Sequence, residues 1–226
     1  MKRIITAIVF TGILISCNSS DKTKTATKES SETETVTESI SGIEKQLKAI
    51  DTDEALIATA LMAAPEESKA TCKVIGYNMA GEFVTLKEGD NQFIVLADNP
   101  KQAGFSAACY HKDLEPFMAR GRVLKAEGKT GEEIFAIREA EMKLGQLKIT
   151  SGSTLHIYYG ANALYDSETS KIGGAQLRYV VYMPWATAAS TGLPNAPVAS
   201  NHPWIMNPGT HKAHIMISPL SEEGEK

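Results

Sequence analysis

Residues 69–100 read KATCKVIGYNMAGEFVTLKEGDNQFIVLADNP. Three short β-prone runs lie in this stretch, at 69–77, 83–87 and 92–96. They are separated by Met79-Ala80-Gly81 and Gly89-Asp90-Asn91. Strand-length runs split by turn residues predict a β-meander. Upstream, Ile43, Leu47, Ile50, Ile57 and Leu61 recur at near-helical spacing until Pro65 stops them. That pattern predicts a helix over 43–63, broken near 51–53. Downstream, 98–112 reads as a loop opened by Asp98-Asn99-Pro100. Asp113 then caps a helix carrying Leu114, Phe117, Met118, Gly121 and Leu124 on one face, with Pro116 in the first turn. Thr130 and Glu133 have capping-box spacing and open a second helix to about residue 144. Strand-like runs follow at 154–159, 177–183 and 213–218. The expected fold is α+β: one domain, with a mostly antiparallel sheet and helices packed on one face.

The 226 residues are 22% charged and 42% hydrophobic, the balance of a globular chain. A net charge of −4 excludes a basic nucleic-acid binder. No apolar run reaches the ~18 residues a spanning helix needs. Three cysteines are too few for a disulfide-built scaffold.

The amino-terminal stretch is MKRIITAIVFTGILISC. Lys2 and Arg3 precede an apolar run from Ile4 to Ile15, which is the length of a signal-peptide core and too short to span a bilayer. Leu14-Ile15-Ser16-Cys17 resembles the lipobox of bacterial lipoproteins. The resemblance implies cleavage after Ser16, a thioether-linked diacylglycerol on Cys17, and a protein held on a membrane in the cell envelope, periplasmic or surface-facing. Acyl chains contribute roughly 0.8 kcal/mol per buried CH₂, so two or three anchor almost irreversibly. Removing Lys2 and Arg3 would take the charge from −4 to −6, so lipid and not a basic patch supplies the attachment. In residues 18–41, twelve of 24 are Ser or Thr and eight are charged, while only Val36 and Ile40 are large and apolar. Such a segment cannot offset its ordering entropy and reads as a disordered tether. The expected organisation is thus a signal peptide at 1–16, a lipidated Cys17 with a tether to 41, and a globular domain over 42–226.

Several segments of that domain resemble an uncharacterised family of exported bacterial proteins. They are Ala63-Ala64-Pro65, Leu86-Lys87-Glu88-Gly89, Phe93-Ile94-Val95-Leu96-Ala97-Asp98-Asn99-Pro100, Ala108-Cys109-Tyr110, Tyr182-Met183-Pro184 and His214-Ile215-Met216-Ile217. The resemblance implies a single exported domain and assigns no chemistry. Where family members carry a Trp-Thr-Cys-Leu-Pro-Asp-like segment, this chain has Val95 in place of the cysteine, while Cys109 is kept. Two readings of Cys72 and Cys109 therefore stand. Cys72 replaces the missing family cysteine and bridges Cys109, or both are buried thiols.

The stretch 184–208, PWATAASTGLPNAPVASNHPWIMNP, holds five of the nine prolines and both tryptophans. A loop this long is commonly functional, and its indoles must bury large rings. One reading makes it the rim of a pocket lined by Trp185, Ser190, Thr191, His202 and Trp204; the other pins it flat on the sheet. His211 and His214 invite a metal reading, but three-residue spacing on a strand sends the two rings to opposite faces, so the pair converges only if His211 lies in the preceding turn. His156 alternates with Leu155 and Ile157 and faces away from them. No nucleophile elbow, P-loop, zinc signature or dinucleotide fingerprint is present, and neither metal nor cofactor is assigned. The expected function is a lipid-anchored envelope protein binding a small ligand or partner protein through 184–211, with Trp185, His202, Trp204, His211 and His214 as contacts. The alternative is an envelope hydrolase, with or without metal, built from His111, His202, His211, His214 and Asp98.

Overall fold

The computed structural model describes residues 47–219. The signal segment, Cys17, the 18–41 tether and the start of the 43–63 helix lie outside the described residues. Those that are described belong to one compact unit.

Its frame is an eight-stranded sheet in the order β3-β2-β4-β5-β6-β8-β10-β9. The strands are β2 (Lys73–Tyr77), β3 (Phe83–Lys87), β4 (Phe93–Leu96), β5 (Phe105–His111), β6 (Thr154–Gly160), β8 (Gln176–Tyr182), β9 (Trp204–Met206) and β10 (His214–Ile217). A separate pair joins β1 (Lys48–Ala49) to β7 (Leu164–Tyr165). Helices are α1 (Asp53–Ala60), α2 (Glu115–Ala126), α3 (Gly131–Lys143) and the short α4 (Ala188–Thr191). The protein is α+β with a mostly antiparallel sheet.

The expected meander is corrected at its third strand. β4 pairs with β2 in parallel, on the side away from β3. Gly89 makes this crossing feasible: a Cβ there would stand 2.3 Å from the backbone of Cys72 and Lys73. Asp90 and Asn91 donate their N–H groups to the Thr71 carbonyl, at 3.0 and 3.3 Å, and the Asn91 amide reaches Ser68 O at 2.9 Å. The 88–92 connection thus hugs the start of β2 and delivers the chain to its far side.

The predicted loop at 98–112 is corrected too, because most of it is β5. This strand is central, paired to β4 and β6. Its residues Ser106, Ala107, Ala108 and Cys109 are small and unbranched, so they carry little β signal in the sequence.

Alternate residues of the central strands feed two buried clusters. Val95, Ala107, Cys109 and Tyr158 pack with Ala60 and Ala63 from α1 and the 3-10 turn after it. Tyr110, Leu155, Val180, Tyr182 and Met216 pack with Leu114 and Phe117 at the start of α2. Helical segments therefore cover both faces of the sheet, which corrects the expectation of helices on one face. α1 is shorter than the 43–63 pattern suggested, since Thr52 caps it by accepting from Ala55 N–H at 3.1 Å. Thr130 and Glu133 do form a reciprocal capping box on α3.

Candidate functional site

Two places on this frame gather aromatic rings and histidines, one on each face.

On the α1 face, β6 and β8 place His156 directly opposite Tyr179. Their rings meet edge to face at 4.9 Å. The 3-10 turn after α1 and the following Ala64-Pro65-Glu66 arch over this pair. Beneath the arch is a cavity of ≈ 320 Å³ lined by Met62, Ala63, Pro65, His156, Leu177 and Tyr179, among others. Burial holds His156 below the ordinary imidazole range, partly opposed by its hydrogen bond to the Ala63 backbone. The ring is therefore neutral near pH 7 and keeps its second nitrogen as an acceptor. Glu66 stands at the mouth but is bound to Lys69 at 2.5 Å. Apolar side chains supply somewhat more of the wall than polar groups, which come from His156, Tyr179 and Glu66 at the mouth. That chemistry suits a small, largely apolar, uncharged molecule.

On the opposite face, the 184–208 stretch is not structureless. It contains α4, capped by Thr187, and β9. Trp204 of β9 stands opposite Met216 and packs on the second cluster. Trp185 is 40% exposed and has φ of +67°, a costly conformation for an indole-bearing residue. Its N–H donates to Thr210 O at 2.8 Å, and Gly209 N–H donates to Ala186 O at 2.7 Å, so segments 183–187 and 207–213 are zipped together. His211, in the turn before β10, points inward and has no exposed surface. Phe135 (4.6 Å), Phe117 (5.9 Å) and Trp185 (6.5 Å) surround its ring. Glu139 Oε2 lies 3.8 Å from Nδ1, beyond hydrogen-bond range, and is itself held by Lys143 at 2.7 Å. Among the described residues, both ring nitrogens lack a hydrogen-bond partner, as does Nε of Arg138, whose guanidinium lies 3.9 Å from the centre of the Phe117 ring. Burial and then the Arg138 charge push His211 down to about 4.

The structure therefore brings Trp185 and His211 together, with His214 and Trp204 on the same side of the sheet. His214 is buried, bonds Lys212 O through Nδ1 at 2.8 Å and tilts on Tyr182 at 5.5 Å. His202 stands apart, with Nδ1 2.7 Å from Pro203 O. His111 ends β5, opposite Phe93 of β4, and accepts from Asp113 N–H at 3.3 Å. Asp98 is buried, accepts from Ser106 N–H at 2.9 Å, and is raised by that burial. The histidines that the hydrolase alternative needs are thus spread over several sites. Among the described residues, no group of three His, Cys, Asp or Glu side chains could hold a metal ion.

Cys72 and Cys109 are free, fully buried thiols. Their side chains reach each other, and burial first, then Cys72, pushes the Cys109 thiol up to about 12. The two thiols stand side by side without a bridge between them here.

The groove was largely hidden from the sequence. Its one signal was His156, a polar residue on the strand face opposite Leu155 and Ile157. Phe135, Arg138 and Glu139, which close over His211, gave no signal beyond helical periodicity. No family model, curated protein or solved structure matches the chain.

Proposed function

We propose that this is a lipid-anchored protein of the bacterial cell envelope. It is acylated at Cys17 and tethered by residues 18–41, and residues 42–226 form a single binding domain. The ligand is a small, largely apolar, uncharged molecule, and it enters the His156–Tyr179 groove rather than the 184–211 loop. The lipobox-like Leu14–Cys17 segment supports the anchor. Among the described residues, no helix is long and apolar enough to cross a membrane. One observation carries the binding role: a cavity of ≈ 320 Å³ whose apolar walls converge on two polar rings. That volume is at the lower end for small-molecule sites.

The test has two arms. Mass spectrometry of the membrane fraction should find a diacylglyceryl Cys17 at the amino terminus, and Cys17→Ser should release the protein from membranes. A thermal-shift screen of the full chain against small uncharged apolar compounds should yield hits, since a ligand at 100 times its Kd stabilises by about 2.7 kcal/mol. Those shifts should vanish in Leu177→Trp, which fills the groove. Hits that survive this substitution would refute the groove as the site.

A further inference from the structure

The sealed face carries a feature that ligand binding does not use. Segments 183–187 and 207–213 are joined by three backbone hydrogen bonds: Trp185 to Thr210, Gly209 to Ala186 and Met183 to Ala213, all at 2.7–2.9 Å. Trp185, Asn207 and Gly209 all hold positive φ within this double loop. His211 is its inward anchor, with no exposed surface and, among the described residues, no partner for either ring nitrogen. We infer that His211 is a pH-operated latch: uncharged, it sits in the Phe117–Phe135–Trp185 box and closes the double loop on α3; protonated, it leaves the box and frees Trp185.

The charges facing the ring decide the direction. α3 presents Arg138, Glu139 and Lys143, and the turn itself presents Lys212. Three cations therefore face it against one carboxylate, and that carboxylate is shared with Lys143. α2 contributes the Phe117 ring, while its Arg120 is engaged by Glu141. Tyr182 of β8 reaches the cluster through Phe117 at 6.0 Å, with His214 of β10 behind it. Burial raises Tyr182 and lowers His214, so neither is charged near neutrality. An imidazolium in the box would be desolvated and mostly repelled. The closed loop holds His211 at about 4, against about 6.5 for a free imidazole. The open state therefore binds more protons between these values. The closed loop is fully favoured above about pH 6.5 and loses ground as pH falls toward 4.

The experiment uses the full chain with Trp204→Phe, so that Trp185 is the sole tryptophan. Its emission is followed from pH 7.5 to 4, with far-UV circular dichroism recorded on the same samples. The expected result is a reversible Trp185 transition between pH 6.5 and 4 while the dichroism stays constant. His211→Phe, which keeps an aromatic ring in the box, should abolish the transition. Glu139→Gln, a partly exposed change that removes the one charge favouring an imidazolium inside the box, widens the gap between closed and open states, so the midpoint should hold or rise. A flat Trp185 signal would overturn the latch. So would a transition that persists in His211→Phe, one that appears only with loss of secondary structure, or a midpoint lowered by Glu139→Gln.

Discussion

His156 and His211 are both neutral imidazoles held against aromatic rings, one on each face of the same sheet, yet their surroundings differ in kind. His156 lies between two strands under a thin 3-10 arch, with Tyr179 beside it and a cavity in front. His211 is enclosed by two helices and a zipped loop, with no exposed surface. A rigid helix pair closes fully over a side chain, whereas a short 3-10 segment bridges two strands without filling the space beneath. The difference separates a place where a ligand can enter from one where only a proton can.

Truncation should expose this contrast most strongly. Phe117 is 1% exposed and touches Tyr182, His211 and Arg138. Phe117→Ala should cost about 3–5 kcal/mol in denaturant unfolding, because the helices cannot collapse into the void. Leu177→Ala, at the groove, enlarges a space that already exists and should cost less than half as much. Equal losses would mean that the two faces are packed alike.

A second perturbation acts on the groove face alone. Gly89→Ala places a methyl group against the backbone of Thr71, Cys72 and Lys73, none of which is a flexible side-chain end. The 3-10 segment Glu66–Thr71, which continues the groove's arch, must then shift. Stability should fall by about 1–3 kcal/mol, the usual cost of overpacking. Any groove ligand should bind more weakly, while Trp185 emission at neutral pH stays unchanged. A change at Trp185 would show that the two faces are mechanically coupled.

The sequence made some of this architecture legible and concealed the rest for identifiable reasons. The Thr130–Glu133 cap and the α2 stripe were readable because each signal lies within one or two turns of chain. β5 was missed because it carries Ser, Ala and Cys in place of the branched residues by which strands are read. The parallel β2–β4 pairing depends on a close approach at Gly89 that turn-residue statistics read as a hairpin. His211 and Trp185 were picked out as residues, but their separation from a cleft was not, because Phe117 and Phe135 close over them from elements distant in sequence. The groove lies between 62–66 and two strands nearly a hundred residues later, so no local pattern could have revealed it.

The smallest effect is the sharpest test of the division between faces. The Tyr179 hydroxyl makes no hydrogen bond to another described residue, and its ring already packs edge-on against His156. Tyr179→Phe therefore removes a polar atom that the fold does not use, and unfolding free energy should change by no more than about 0.5 kcal/mol. A groove ligand that bonds this hydroxyl should lose about 0.5–1.5 kcal/mol of affinity, roughly 2- to 13-fold in Kd. Measured by calorimetric titration with a hit from the thermal-shift screen, unchanged affinity would leave His156 as the only polar contact. A stability loss well above 0.5 kcal/mol would instead mark Tyr179 as part of the core, and the groove face would then resemble the sealed one.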